Sequence, residues 1–179
     1  MSTTARSSHT LAVLVENRPG VLARVASMFS RRGYNIHSLA VGTTDDPRVS
    51  RLTIVVGAEA VQLEQITKQL NKLVHVLKIQ ELDPDDSVEV ELQLVKVSAG
   101  PEERSRVFDL AEVFMAEVVD VDADSVTIEI AGNVGRLERF VGVMEEFGIR
   151  EMVRSGSIAL SRGGRSITDG SRLRLQRVV

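Results

Sequence analysis

The segment from Glu16 to Leu22, ENRPGVL, has the residue types and spacing best suited to binding chemistry in this chain. It joins a short apolar run to the start of a helical pattern. The first backbone N–H groups of a helix are unpaired and lie at the positive end of its dipole. Pro19 suits the first helical turn, where its missing donor costs nothing. Gly20 lets a ligand approach the backbone because it has no Cβ. The segment can therefore receive a carboxylate.

Asn17 adds a second option to the same loop. Its side chain can cap the helix, or its amide oxygen can accept a hydrogen bond from an ammonium group. A free α-amino acid carries both charges, so one short loop could hold both ends of such a ligand. The alternative is an ordinary helix start capped by Asn17, and the residues alone do not separate the two.

Catalytic and metal-binding patterns are missing from the 179-residue sequence. His9, His37 and His75 do not stand at metal-ligand spacing, and there is no GxSxG, HExxH or P-loop pattern. We therefore expect no catalytic residue and no metal site. The competing hypothesis is a small enzyme that uses His37 or Asp122, although no nucleophile, base or metal cluster converges with either in the sequence.

Composition narrows the class of protein further. The formal net charge is -3, without a strong basic patch or a helix-turn-helix pattern, which argues against nucleic-acid binding. No apolar run approaches the ~20 residues that span a bilayer, so we expect no membrane partner. There are no cysteines, which is compatible with a reducing cytoplasm. We expect a cytoplasmic protein whose residues 1–8 form a flexible tail rather than a signal peptide.

Hydrophobic periodicity predicts the elements that must position the loop. The run LAVLV before it predicts a buried strand, and Leu22, Val25 and Phe29 recur at helical spacing until Gly33 ends the helix. From residue 9 to residue 83 the predicted order is strand, helix, strand, strand, helix, strand. The same order recurs after Asp83–Asp86, which has the composition of a linker.

Each half therefore has the βαββαβ order of ferredoxin-like folds. The predicted fold class is α+β, with two ferredoxin-like βαββαβ domains in tandem. Residues 9–83 form the first predicted domain and residues 84–163 the second. We expect residues 164–179, which are polar and rich in arginine, to form a flexible tail.

The sequence of residues 16–56, ENRPGVLARVASMFSRRGYNIHSLAVGTTDDPRVSRLTIVV, closely resembles the ACT domain of the acetolactate (acetohydroxyacid) synthase small subunit. An N/D-x-PG-x-L loop after the first strand is general to ACT domains, whereas RRGYNIHSL, TDDP and SRLTIVV are more specific to this subunit. QLEQITKQLNKLVHVLKI continues the resemblance. LVKV near Val95 and RSGSIALSRG from Arg154 match the family's C-terminal domain. The resemblance covers roughly residues 9–164.

What the resemblance implies is a sensor of valine, leucine or isoleucine. In the family the effector lies between the ACT domains of a homodimer, with the loop of one protomer facing the start of the second strand of its neighbour. Carried over, Gly20 and Val21 offer backbone N–H groups to the carboxylate, two asparagines supply polar contacts, and two aliphatic side chains pack on the branched side chain. These effector-binding residues are Asn17, Pro19, Gly20, Val21, Leu22, Asn35 and Ile36. From the residues alone, Asn35 has the alternative of finishing a turn, and Ile36 that of ordinary core.

The resemblance also implies a partner, the catalytic large subunit, which condenses pyruvate with pyruvate or 2-oxobutyrate. Its thiamine diphosphate, magnesium and FAD belong to that subunit, and we expect no cofactor in this chain. In the family the small subunit raises the partner's activity and confers feedback inhibition. Ser50-Arg51, where a charge enters an apolar strand, is a candidate contact surface, with a solvated strand end as the alternative. The competing regulatory hypothesis is a free-standing ACT sensor that acts on another enzyme.

Overall fold

The computed structural model describes residues 8–169, which divide into two compact units. The N-terminal unit contains residues 8–88 and 157–169, and the C-terminal unit contains residues 89–156. Each unit has an antiparallel sheet and a hydrophobic core of its own. The predicted α+β class with two βαββαβ units is confirmed.

The N-terminal unit places the two predicted half-sites at the ends of its first helix. Its elements are β1 (Ser8–Glu16), α1 (Val21–Arg31), β2 (Ile36–Thr43), β3 (Val49–Gly57), α2 (Ala60–Leu70) and β4 (Val76–Leu82). The strand order is β2-β3-β1-β4. Because β1 and β2 both pair antiparallel with β3, they run in the same direction.

Helix α1 forms where it does because its apolar residues fall on one face. Val21, Val25, Met28 and Phe29 recur at three- and four-residue steps, and all of them are buried in the core. The helix begins one residue after Gly20, whose φ of 82° and ψ of -8° are left-handed. Pro19 therefore lies before the helix cap. The sequence analysis had placed it in the first helical turn, and that prediction is wrong.

The C-terminal unit repeats the same order. Its elements are β5 (Ser87–Ser98), α3 (Arg104–Val113), β6 (Glu117–Val121), β7 (Ser125–Gly132), α4 (Val134–Met144) and β8 (Ile149–Arg154). The strand order is β6-β7-β5-β8. Its core contains Val95, Ile128 and Phe140, all of which are fully buried. A last short strand, β9 (Ile158–Ser161), pairs with β5 and belongs to the N-terminal unit.

Residues 157–169, here called the C-terminal segment, cover the face of the N-terminal sheet opposite the helices. Ala12 and Leu14 of β1 lie on that face, and Ala159 and Ile167 of the segment are buried with them in one apolar cluster. The hydrogen bonds between the segment and the strands are Ser157 N to Ser38 Oγ (2.8 Å), Arg51 Nη2 to Ala159 O (2.7 Å), Gln80 Nε2 to Ser161 Oγ (3.0 Å) and Lys78 Nζ to Asp169 O (2.9 Å). The segment therefore contacts all of the strands in this sheet.

The predicted domain boundaries, with residues 157–163 in the second domain and residues 164–179 in a flexible tail, stay predictions. In the structure the segment up to residue 169 packs with the N-terminal unit. The physical reason is that β1 is apolar on both faces, so its outer face needs a cover. Residues 170–179 and 1–7 lie outside the described residues, and Ser8 already belongs to β1.

Candidate functional site at the start of α1

The loop between β1 and α1 opens toward solvent at Gly20. A Cβ built on this residue would have no atom within 4 Å, so the space beside its backbone is empty. Its left-handed φ of 82° is a conformation that glycine adopts without steric cost. Asn17, Pro19 and Gly20 are exposed, whereas the side chain of Val21 is buried in the core. A ligand here would therefore meet the backbone of Val21 and not its side chain.

The first N–H groups of α1 are largely free. No side chain caps the helix, and within residues 8–169 the backbone N–H groups of Gly20, Leu22 and Ala23 have no protein acceptor. The N–H of Val21 makes one long bond of 3.4 Å to the carbonyl of Arg18. The alternative in which Asn17 caps the helix is wrong. Gly20 and Leu22, more than Gly20 and Val21, hold the available donors.

Asn17 is held by a turn that the sequence analysis did not connect with the loop. Its side-chain Nδ2 donates to the carbonyl of Pro47 at 2.9 Å, and its backbone N–H donates to the carbonyl of Arg48 at 2.7 Å. These two contacts fix the side chain with its amide oxygen available as an acceptor. Because Pro47 ends the TDDP motif and Arg48 follows it in the turn between β2 and β3, this turn acts as a support of the site.

An ion pair organises that supporting turn. The carboxylate of Asp46 accepts from the guanidinium of Arg48 at 2.9 and 2.7 Å, and from the backbone N–H of Arg48 at 2.9 Å. The hydrogen bonds from Arg48 lower the pKa of Asp46 to about 2. The carboxylate therefore stays charged at any pH near neutrality. The TDDP motif was the available sequence signal, but its link to Asn17 is a contact across 30 residues.

A buried carboxylate lies where β1 ends and the loop begins. Glu16, the last residue of β1, is 2% exposed, and its Oε2 lies 3.1 Å from Arg18 Nε and 2.9 Å from His75 Nδ1. A buried charge needs such partners. His75 is therefore a structural residue, in agreement with its interpretation from sequence. Arg18 and His75 therefore satisfy this carboxylate from within the chain.

The second predicted half-site lies far from the first in the same chain. Ile36 pairs with Val56, which pairs with His9 at the start of β1, whereas Asn17 follows the end of β1. Along β1, seven residues separate the position of His9 from the end of the strand, which is a distance of about 23 Å. Asn35 is exposed in the connection before β2, and Ile36 is partly buried against the core. One chain cannot place both half-sites around a single amino acid.

The residues of the competing enzyme hypothesis lie in different units. His37 is exposed at a β-bulge, where its ring lies against Gly57. Asp122 accepts from the backbone N–H of Ala123 at 2.7 Å in a turn of the C-terminal unit. Within residues 8–169 there is no cluster of three or more possible metal ligands. No helix in this part of the chain is long and apolar enough to cross a membrane.

The candidate contact surface at Ser50-Arg51 is partly occupied by the chain itself, and its role in binding a partner stays a prediction. Ser50 is 7% exposed, and the guanidinium of Arg51 donates to the carbonyl of Ala159. Burial lowers the pKa of Arg51. The charge that enters this strand therefore binds the C-terminal segment.

The fold and the free amides define a class of protein, a two-domain α+β protein of ferredoxin-like units with an open helix start in the first unit. Comparison with known proteins specifies the family. Residues 11–78 match the family described as "AHAS small subunit-like ACT domain", and residues 90–163 match "Small subunit of acetolactate synthase". The chain belongs to the acetolactate synthase small-subunit family.

Individual relatives agree with this assignment. The chain is 57% identical over 160 residues to the acetolactate synthase small subunit of Mycobacterium bovis, covering 89% of this chain and 95% of that protein. A probable acetolactate synthase small subunit of Archaeoglobus fulgidus is 48% identical over 157 residues, covering 88% and 98%. The crystal structure of the small subunit from Thermotoga maritima matches with a TM-score of 0.83 at 37% identity, covering 89% and 99%. The resemblance stated from the sequence is confirmed.

Proposed function

We propose that this chain is a regulatory subunit without catalytic activity, which activates the large subunit of acetolactate synthase and inhibits it when a branched-chain amino acid binds. The single observation that carries the proposal is the set of free N–H groups at Gly20 and Leu22 beside the fixed side chain of Asn17. The small-subunit names of its relatives support a large subunit as partner.

The carboxylate of the effector would bind at the helix start. The free N–H groups, those of Gly20 and Leu22 among them, and the positive end of the α1 dipole favour an anion there. The first turn of α1 contains no acidic residue that would repel it. The missing Cβ of Gly20 leaves room for the carboxylate to reach the backbone.

Neighbouring groups would bind the ammonium and the side chain of the effector. The Nδ2 of Asn17 is occupied by the carbonyl of Pro47, so its Oδ1 is free to accept from the ammonium. Leu22, in the first turn of α1, is 44% exposed and offers apolar surface beside the anion site. A branched aliphatic side chain fits that surface better than a polar one.

A homodimer would complete the site. The two half-sites lie about 23 Å apart along β1 in one chain. Strand β2 lies at the edge of its sheet, with its outer side unpaired by another strand of its own sheet. If two copies paired antiparallel along β2, the start of one β2, with Asn35 and Ile36, would face the loop end of the other copy. A second copy therefore supplies what one chain lacks.

A ligand in such an interface would act as a switch. It can shift the equilibrium between two arrangements of the dimer only by its difference in affinity for them. We propose that the effector favours an arrangement in which the large subunit is less active. The thiamine diphosphate, magnesium and FAD of the reaction would all be held by the large subunit.

The proposal is tested by measuring acetolactate formation from pyruvate. The purified chain alone should give no turnover, and adding it to its cognate large subunit should raise turnover above that of the large subunit alone. Valine, leucine or isoleucine should then lower the stimulated rate. Turnover by the isolated chain would overturn the assignment. Effector binding without any influence on the large subunit would favour the free-standing sensor.

A further inference from the structure

Helices α1 and α2 form a groove whose charged residues are all cationic. Its volume is about 680 Å³, and it is lined by Arg24, Met28, Arg31, Arg32, Gln69, Lys72 and Leu73. A smaller cleft of about 140 Å³ shares Arg24 and Lys72 and extends toward Val21 and His75. We call the larger cavity the basic groove.

The cations of the basic groove differ from most others in the described part of the chain. Most of the other arginines and lysines within residues 8–169 bind a carboxylate or a carbonyl. Examples are Arg48 with Asp46, Lys68 with Glu64, Arg106 with Glu146, Arg150 with Asp124 and Arg51 with the carbonyl of Ala159. Within residues 8–169, the side chains of Arg24, Arg31, Arg32 and Lys72 have no such partner in the chain itself.

The sequence around the basic groove also has an excess of cationic residues. Residues 17–44 contain no Asp or Glu, although acidic residues outnumber basic ones in the whole chain. Cations near the end of α1 favour the helix dipole, which explains Arg31 and Arg32 in part. It does not explain Arg24 near the helix start, where a cation is unfavourable. A solvated helix surface would normally carry mixed charges.

The shape of the basic groove determines what can occupy it. Arg24 and Arg31 are seven residues apart on α1, which separates them by about 10 Å along the helix. A chain segment with several carboxylates can pair with all four cations at once, whereas a single carboxylate would leave most of them unpaired. Met28 is buried and Leu73 partly buried, so the floor between the cations is apolar. The occupant should therefore combine acidic groups with an apolar side chain.

We propose that the basic groove binds an acidic segment of the large subunit, one that carries an apolar side chain between its carboxylates. This inference rests on the proposed function, because it assigns a surface to the partner named there. Complementary charge across an interface steers association and fixes its register. The apolar floor adds the desolvated contact that a purely ionic surface lacks.

The test reverses one charge on each wall of the basic groove. The full-length double variant Arg31→Glu/Lys72→Glu is compared with Arg139→Glu/Arg154→Glu. Arg139 and Arg154 are exposed, belong to the C-terminal unit, and have no side-chain partner within residues 8–169. Both double variants change the net charge equally. A third variant, Arg31→Lys/Lys72→Arg, conserves the charge of the groove.

Binding to the cognate large subunit is measured by calorimetry at two salt concentrations, with thermal unfolding and valine binding as controls of folding. We expect the groove variant to bind the large subunit at least about tenfold more weakly. The other two variants should bind within about twofold of the unaltered chain. The salt dependence should also be smaller in the groove variant, because fewer charge pairs remain to be screened.

The outcomes separate this inference from the proposed function. If the unaltered chain does not bind the large subunit, the proposed function and the inference both fail. If the groove variant binds as tightly as the variant of the C-terminal unit, only the inference fails. If inorganic tripolyphosphate binds the unaltered chain but not the groove variant, and binding of the large subunit is unchanged, the groove receives a small polyanion and the inference is overturned.

Discussion

Replacing Gly20 by Asp should selectively weaken effector binding, because it puts a carboxylate beside the free amides of α1. Gly20 has a φ of 82° and empty space around the position of a Cβ. The new side chain would therefore meet no other part of the chain within 4 Å, and its cost is the strain of the left-handed backbone. Asn and Asp are the non-glycine residues that best tolerate the left-handed region. Gly20→Asn is thus a matched control with the same shape and no charge.

The magnitude follows from the separation of the two carboxylates. The side chain of residue 20 and an anion held by the N–H groups of Gly20 and Leu22 would lie about 5 Å apart. At that distance two unit charges repel by about 3 kcal/mol at an effective dielectric constant of about 20, and by about 1 kcal/mol in water. Because the loop is exposed, we expect a value between these limits, or about 5- to 150-fold weaker binding of valine than in Gly20→Asn.

The assay is calorimetric titration of the purified variants with valine at low and high ionic strength. Both variants should be destabilised to a similar extent, since both pay for a left-handed residue. The difference in valine affinity should shrink as salt screens the repulsion. Equal valine affinity in Gly20→Asp and Gly20→Asn would refute the placement of the effector carboxylate at the start of α1.

Two further predictions concern the supports of the site and of the fold. The pKa of Asp46 is about 2 because Arg48 donates to its carboxylate. Such a lowered pKa stabilises the folded chain above the ordinary carboxyl range, and this contribution is lost as pH falls from about 4 to about 2. NMR titration of the Asp46 carboxyl carbon should give a midpoint near 2 in the unaltered chain and a higher one in Arg48→Gln. The midpoint of the variant should stay below the ordinary value of 3.8, because the backbone N–H of residue 48 still donates to the carboxylate. An unchanged midpoint would exclude the ion pair as its cause. Ile167→Ala should lower the free energy of unfolding by about 2 kcal/mol, because this side chain is 7% exposed against the outer face of the sheet. The exposed neighbour Thr168 is the control, since Thr168→Ala should change the free energy of unfolding by less than about 0.5 kcal/mol. Both variants are measured by urea unfolding. Similar effects of the two changes would contradict the packing of the C-terminal segment.

The element order was predictable because it depends on local periodicity. The buried residues of α1, Val21, Val25 and Phe29, recur at helical steps that the sequence displays directly. The βαββαβ order of both units follows in the same way. The exact start of α1 was not predictable. Pro19 is compatible with a helical first turn, but the left-handed backbone at Gly20 moves the start to Val21.

The candidate site was located from sequence, but its internal arrangement was not. The motif at Asn17 and Gly20 indicates a helix start, and helix starts leave free amides wherever they occur. Whether Asn17 caps those amides depends on what else its side chain contacts. Its Nδ2 binds Pro47, a residue 30 positions away, and this contact excludes the cap. Local propensity contains no information about such a partner.

The sequence by itself determined which residues are apolar, which are charged and with what period they recur. It thereby determined the two units, the family and the position of the loop. The tertiary structure alone decided what covers each surface. It places Ile167 on the outer face of the N-terminal sheet, and it leaves Arg24 and Lys72 on a groove without a side-chain partner among residues 8–169. The physical reason is that local periodicity fixes which face of an element is apolar and which is charged. Which other segment packs against that face depends on contacts between residues that are far apart in the sequence.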